Sequence, residues 1–117
     1  MSEVPMDAKE LSFIDLYSRG DVSAVTIEDY VDRWHDRYRE QEKYPPLHEY
    51  LGLTREEYEV WLYDPLSLPS ILRARQPGGK LADIMTQRLE QLRAANRQED
   101  GATIFSLGNW LKAQASH

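Results

Sequence analysis

Thr26-Ile27-Glu28-Asp29-Tyr30-Val31-Asp32-Arg33-Trp34-His35-Asp36-Arg37-Tyr38 is the stretch that decides the fold class. Ile27, Tyr30, Val31, Trp34 and Tyr38 recur at the i, i+3, i+4, i+7, i+11 spacing that places side chains on one face of an α-helix. Glu28, Asp29, Asp32, Arg33, Asp36 and Arg37 take the other faces. Thr26 is a good N-cap, because its hydroxyl can accept from an otherwise orphaned first-turn amide. The helix is expected to fray near Gln41, since Pro45-Pro46 cannot continue it.

The same periodicity extends outward from this helix. Upstream, residues 7–18 read as a first helix, with Asp7 and Glu10 at capping-box spacing and Gly20 placed to end it. Downstream, residues 47–51 read as a short helical turn stopped by Gly52. Thr54 and Glu57 then form a capping box flanked by Leu53 and Tyr58 at the hydrophobic-staple positions. The helix so begun, with Tyr58, Trp61 and Leu62 as its apolar face, ends at Asp64-Pro65. A short helix opened near Pro69 follows, over residues 66–75. Gln76-Pro77-Gly78-Gly79 is a strong break and reads as a hinge. Beyond it, residues 80–95 form a helix whose face is Leu81, Ile84, Met85, Leu89 and Leu92. Asp100-Gly101 is a turn, and residues 103–113 are a last apolar segment that Gly108 weakens as a helix, leaving a strand over 102–107 open. The expected fold is all-α: one small domain of about five to six short helices. A compact body spans residues 1–76, and a C-terminal helical arm spans 77–117, packed on that body or extended to a partner.

Composition bounds the chemistry. The 117 residues are 41% apolar and 29% charged, which suits one globular domain. There is no cysteine, which removes disulfides, thiolate metal sites and cysteine nucleophiles. No stretch resembles a signal peptide, and none approaches the roughly 18–20 apolar residues of a membrane span. A reducing cytoplasm is therefore the expected address, with no membrane contact. The net charge is −6, unevenly spread: twelve acids and five bases over residues 21–64, four acids and seven bases over 65–117. Phosphate binding depends on counterion release by Lys and Arg, so the acidic centre should repel nucleic acid.

The chemical motifs fail one by one. His48-Glu49 would need a second histidine at position 52 to place two zinc ligands on one helix face, and position 52 is glycine. Gly78-Gly79-Lys80 lacks the first glycine and the Ser/Thr of a phosphate loop. No serine sits in a nucleophile-elbow context. The paired carboxylates Glu56-Glu57 and Glu99-Asp100 fall at a helix start and in a turn, where both should be solvated rather than tuned for acid–base work. No catalytic residue, metal ligand or cofactor is expected. Arg73, Arg75, Lys80, Arg88, Arg93 and Arg97 make the C-terminal half locally basic, which would suit nucleic acid or an acidic surface on this chain or a second copy.

The block Asp29-Tyr30-Val31-Asp32-Arg33-Trp34-His35, Leu47-His48-Glu49-Tyr50-Leu51-Gly52-Leu53-Thr54, Glu57-Tyr58, Trp61, Asp64-Pro65, Leu68-Pro69 and Ile71-Leu72 resembles a group of short bacterial antitoxin-like proteins of unassigned activity. The resemblance covers roughly residues 25–75 and names no catalytic residue. It implies a non-enzymatic protein that binds and neutralises a cognate protein toxin or other protein target, as the antitoxin of a bacterial toxin–antitoxin pair. In the tail, Thr86-Gln87-Arg88-Leu89-Glu90-Gln91 resembles the inhibitory motif of antitoxins that block Fic-type AMP transferases, but Gln91 departs from the Gly or Asn of that pattern.

An amphipathic helix after a Pro-Gly-Gly break suits a groove on another protein. Leu81, Met85, Leu89, Phe105 and Trp110 are the expected partner-binding anchors, with Arg88 and Arg93 as rim charge. The alternatives are an acidic phage- or element-encoded inhibitor that mimics nucleic acid, in the manner of anti-CRISPR proteins, through Asp29, Asp32, Asp36, Glu40 and Glu42, or a small DNA-binding regulator. A homodimer would be compatible with either charge half.

Overall fold

Each periodic stretch contains a helix over its described residues. The computed structural model describes residues 11–40 and 45–115, and among these the secondary structure is wholly helical. The α-helices are α1 Phe13–Ser18, α2 Ile27–Glu40, α3 Leu47–Leu51, α4 Arg55–Tyr63, α5 Leu68–Ala74, α6 Leu81–Ala95 and α7 Gly101–Ala115. Single 3-10 turns, Ala24–Thr26, Pro65–Ser67 and Gln98–Asp100, lead directly into α2, α5 and α7. The segment left open between strand and helix, 102–107, is helical, and the helix runs on through Gly108. The chain divides into two compact units, one ending at Thr54 and the other beginning at Arg55.

In the first unit, Ser12 caps α1: its Oγ accepts from the Asp15 amide at 3.4 Å. The expected Asp7–Glu10 capping box lies outside the described residues. Phe13, Ile14, Ile27, Leu51 and Leu53 are buried. Around them aromatic residues of α1 and α2 form two groups of ring contacts. Phe13 stacks on Tyr17 with centroids 5.7 Å apart, and Tyr30 meets Phe13 edge-on at 5.5 Å. Trp34 stacks on Tyr38 at 4.8 Å and donates its indole N–H to the Pro45 carbonyl at 2.7 Å, which ties α2 to the segment entering α3. Gly52 ends α3 in the left-handed conformation with φ 85°. A Cβ there would fall on Ser12 and 2.7 Å from Ile14 Cγ2, so both the turn and the close approach of α1 require glycine.

In the second unit, α4 packs on α7, α5 on α6 and α6 on α7. Val60, Trp61, Leu68, Ile71, Met85, Leu89, Leu92, Leu107 and Trp110 are its buried apolar residues. These residues come from both sides of the 76–79 break, so residues 80–115 share one core with α4 and α5. The break itself is a tight turn. Gly79 donates to the Gln76 carbonyl at 2.8 Å, and Gly78 holds φ 81°. A Cβ on Gly79 would lie 2.5 Å from the Ala74 carbonyl oxygen. Position 79 thus closes against the end of α5.

Candidate partner-binding surface

Two arginine–carboxylate forks fix the second unit and show where its polar residues are spent. Glu57, at the start of α4, is 7% exposed and takes a bidentate bond from Arg75: Nη2 to Oε1 at 2.6 Å and Nε to Oε2 at 2.9 Å. The expectation that Glu57 is solvated is corrected by that pairing. Asp64, which ends α4, is 3% exposed. It accepts from Arg88 Nε at 2.7 Å, from Arg88 Nη2 at 3.3 Å and from the Leu66 amide at 3.3 Å. The bond to Asp64 pushes the Arg88 guanidinium above its ordinary pKa; burial opposes this, and the Asp64 and Asp100 charges add to it. Arg97 pairs with Asp100 at 3.0 Å. Arg75, Arg88 and Arg97, half of the expected basic patch, are therefore committed to carboxylates within the unit.

The seven expected partner residues separate by helix face. Met85 is 0% exposed, and Leu89 and Trp110 are 6% exposed; all three are core. Leu81 is partly buried at the first turn of α6. Arg88 is held by Asp64. In this conformation these five are occupied by the second unit itself. Arg93 and Phe105 remain, with Phe105 71% exposed.

Helix geometry explains the division. At 100° per residue, Phe105 points about 160° away from Leu107 and about 140° away from Trp110. Leu107 and Trp110 face inward, and the Trp110 indole N–H donates to Glu59 Oε1 at 3.1 Å. Phe105 stands on the opposite face, so Phe105 and Trp110 cannot anchor one partner surface while α7 is helical. The outward stripe is Gly101, Phe105, Gly108 and Lys112, at i, i+4, i+7 and i+11. With Arg93, Ile104 and Asn109 these residues line a shallow groove of about 270 Å³ that contains two cationic side chains and no acidic one. Composition could have shown Gly108 and Lys112 only once the segment was fixed as a helix, because the stripe exists only at that period.

A larger groove of about 710 Å³ lies between α4 and α7, with Arg55, Glu56, Glu59, Tyr63, Asn109 and Trp110 among its lining residues. Its charges are mixed, and two of its lining residues, Trp110 and Glu59, are bonded to each other, so it has no dominant recognition chemistry. Of the acidic residues on α2, Glu28, Asp29, Asp32 and Asp36 are exposed and make no ion pair among the described residues. Glu42 and the side chain of Glu40 lie outside the described part. Among the described residues, no group of three His, Cys, Asp or Glu side chains is arranged to hold a metal ion. No described helix is long and apolar enough to cross a membrane. No protein family, curated protein or solved structure matches the chain significantly.

Proposed function

We propose that this chain is a non-enzymatic binding protein that neutralises a protein partner, as the antitoxin of a bacterial toxin–antitoxin pair, and that it engages that partner through the outer face of α7. The observation that carries the reading is Phe105: a large aromatic side chain on α7, 71% exposed, in a groove that Arg93 of α6 also lines. Exposed aromatics rimmed by arginine are the residue types that dominate interface energy. The test is co-expression of the chain with the gene products encoded beside it, reading growth. One neighbour should arrest growth alone and be tolerated with the chain. Phe105→Ala and Arg93→Glu should each abolish that protection while leaving the far-UV circular dichroism unchanged. Protection that survives both substitutions would remove the α7 face from the reading, and no toxic neighbour would remove the antitoxin assignment.

The exposed acids of α2, which make no ion pair among the described residues, favour a second reading, in which the chain mimics nucleic acid on a basic target. Salt separates the two. Binding through α2 charge should be lost between about 50 mM and about 500 mM salt, whereas binding through an apolar anchor should weaken only modestly.

A further inference from the structure

In the first unit an aromatic pair holds a proline segment at the surface. Trp34, on α2, donates its indole N–H to the Pro45 carbonyl at 2.7 Å and stacks on Tyr38, with centroids 4.8 Å apart and planes 16° apart. The contact closes no core. Pro45 and Pro46 are exposed, Tyr38 is 49% exposed, and Trp34 is only partly buried. Two large rings are thus held in a solvent-facing contact with a short run of prolines.

That run has a defined shape. The Pro45 ring fixes its φ near about −65°, and the following Pro46 keeps Pro45 extended. Pro46 itself holds φ −57° and ψ 152°. These are the angles of polyproline II, a helix with no internal hydrogen bonds. Its prolines have no N–H, so it offers a partner only apolar rings and unpaired carbonyl acceptors. The α2 face offers the converse: an indole that can only donate, beside flat aromatic carbon. Aromatic surfaces take proline-rich segments by this chemistry, and the stiff segment loses little entropy on binding.

We infer that the Trp34–Tyr38 face of α2 is a binding site for a proline-rich segment of a partner protein, and that Pro45-Pro46 occupies it in the free chain as an internal copy of that ligand. The partner's segment must displace Pro45-Pro46. The apparent affinity is therefore reduced by the fraction of molecules in which the site is open. The site shares no residue with the α7 face, so the inference goes beyond the function proposed above and stands or falls separately from it.

The test follows the indole N–H resonances of the three tryptophans by NMR while a synthetic oligoproline peptide is added to the full chain, with a glycine–serine peptide of equal length as control. The Trp34 resonance should shift saturably with oligoproline and not with the control, while those of Trp61 and Trp110 stay in place. Pro45→Ala with Pro46→Ala weakens the internal ligand and should tighten oligoproline binding about ten-fold relative to wild type. Tyr38→Ala, at an exposed position, should weaken it about ten-fold. Trp34→Phe removes the donor and should abolish it. Tyr38→Ala decides the matter if Trp34→Phe fails to fold, and the wild-type titration decides it if the proline variant does. No Trp34 shift in any folded form of the chain, an equal response to the glycine–serine peptide, or an affinity that ignores Tyr38→Ala would overturn the inference. A Trp34 resonance that moves with the concentration of the chain rather than with peptide would put Pro45-Pro46 of a second copy in the site, and would also overturn it.

Discussion

Arg88 and Arg75 make the same bidentate bond in different surroundings, and the difference sets their worth. The Asp64–Arg88 pair is deeper, with side-chain exposures of 4% and 21%, against 9% and 35% for Glu57 and Arg75. Removing one partner of a buried pair strands the other charge away from water, at a cost of several kcal/mol. Arg88→Met should therefore destabilise the second unit by about 3 kcal/mol, because Asp64 would keep only the Leu66 amide. Arg75→Met should cost less, about 1 kcal/mol, since Arg75 itself is 35% exposed and its bond to Glu57 is screened by solvent on that side. Urea titrations followed by tryptophan fluorescence check both values. The sign of the pH effect follows from the raised Arg88 pKa. A cation whose pKa is higher in the folded state contributes stability that is fully present below its unfolded value and is lost only as pH rises through the folded one. The Arg88 contribution is therefore constant through the neutral range and fails only in strong alkali.

At the scale of the element, two glycines separate a backbone requirement from a surface one. Gly52 combines a positive φ with a filled site, so Gly52→Ala should cost about 2 kcal/mol or more through strain and the clash with Ser12 and Ile14. Gly108 has helical backbone and open space, so Gly108→Ala should stabilise by about 0.5–1 kcal/mol. Thermal melts of the two variants should shift in opposite directions. The elements themselves were legible wherever local signals agreed. The 26–38 pattern, the Gly52 stop and the Asp64-Pro65 end all form as their spacing indicates. The last segment was harder because Gly108 and the β-branched and aromatic residues Thr103, Ile104 and Phe105 lower helix propensity. Packing of Leu107 and Trp110 against the rest of the second unit overrides that local preference. With the period undecided, Phe105 and Trp110 could be grouped as anchors although a helix places them on opposite faces. The ion pairs Glu57–Arg75 and Asp64–Arg88 span 18 and 24 residues and follow from no local pattern.

For the whole molecule the question is where the chain can be cut. The Pro-Gly-Gly stretch resembles a linker in composition, and cleavage at Gly78 would then leave a folded body. The structure argues otherwise, because the second unit begins at Arg55 and its core is shared across residues 76–79. Deleting residues 79–117 removes Met85, Leu89, Leu92, Leu107 and Trp110 from that core, together with the Arg88 partner of Asp64. At about 1.5–3 kcal/mol for each buried side chain, the loss is on the order of 10 kcal/mol, comparable with the entire stability of a small domain. Val60, Trp61, Leu68 and Ile71 would be left with exposed apolar surface, and α4 and α5 are too short to persist in isolation. The fragment ending at Gly78 should therefore lose helical circular dichroism beyond the share contributed by α6 and α7, and its amides over residues 55–74 should exchange freely. A fragment that keeps protected amides through α4 and α5 would show instead that these helices are stabilised independently of α6 and α7, and would restore the C-terminal segment as a separable arm.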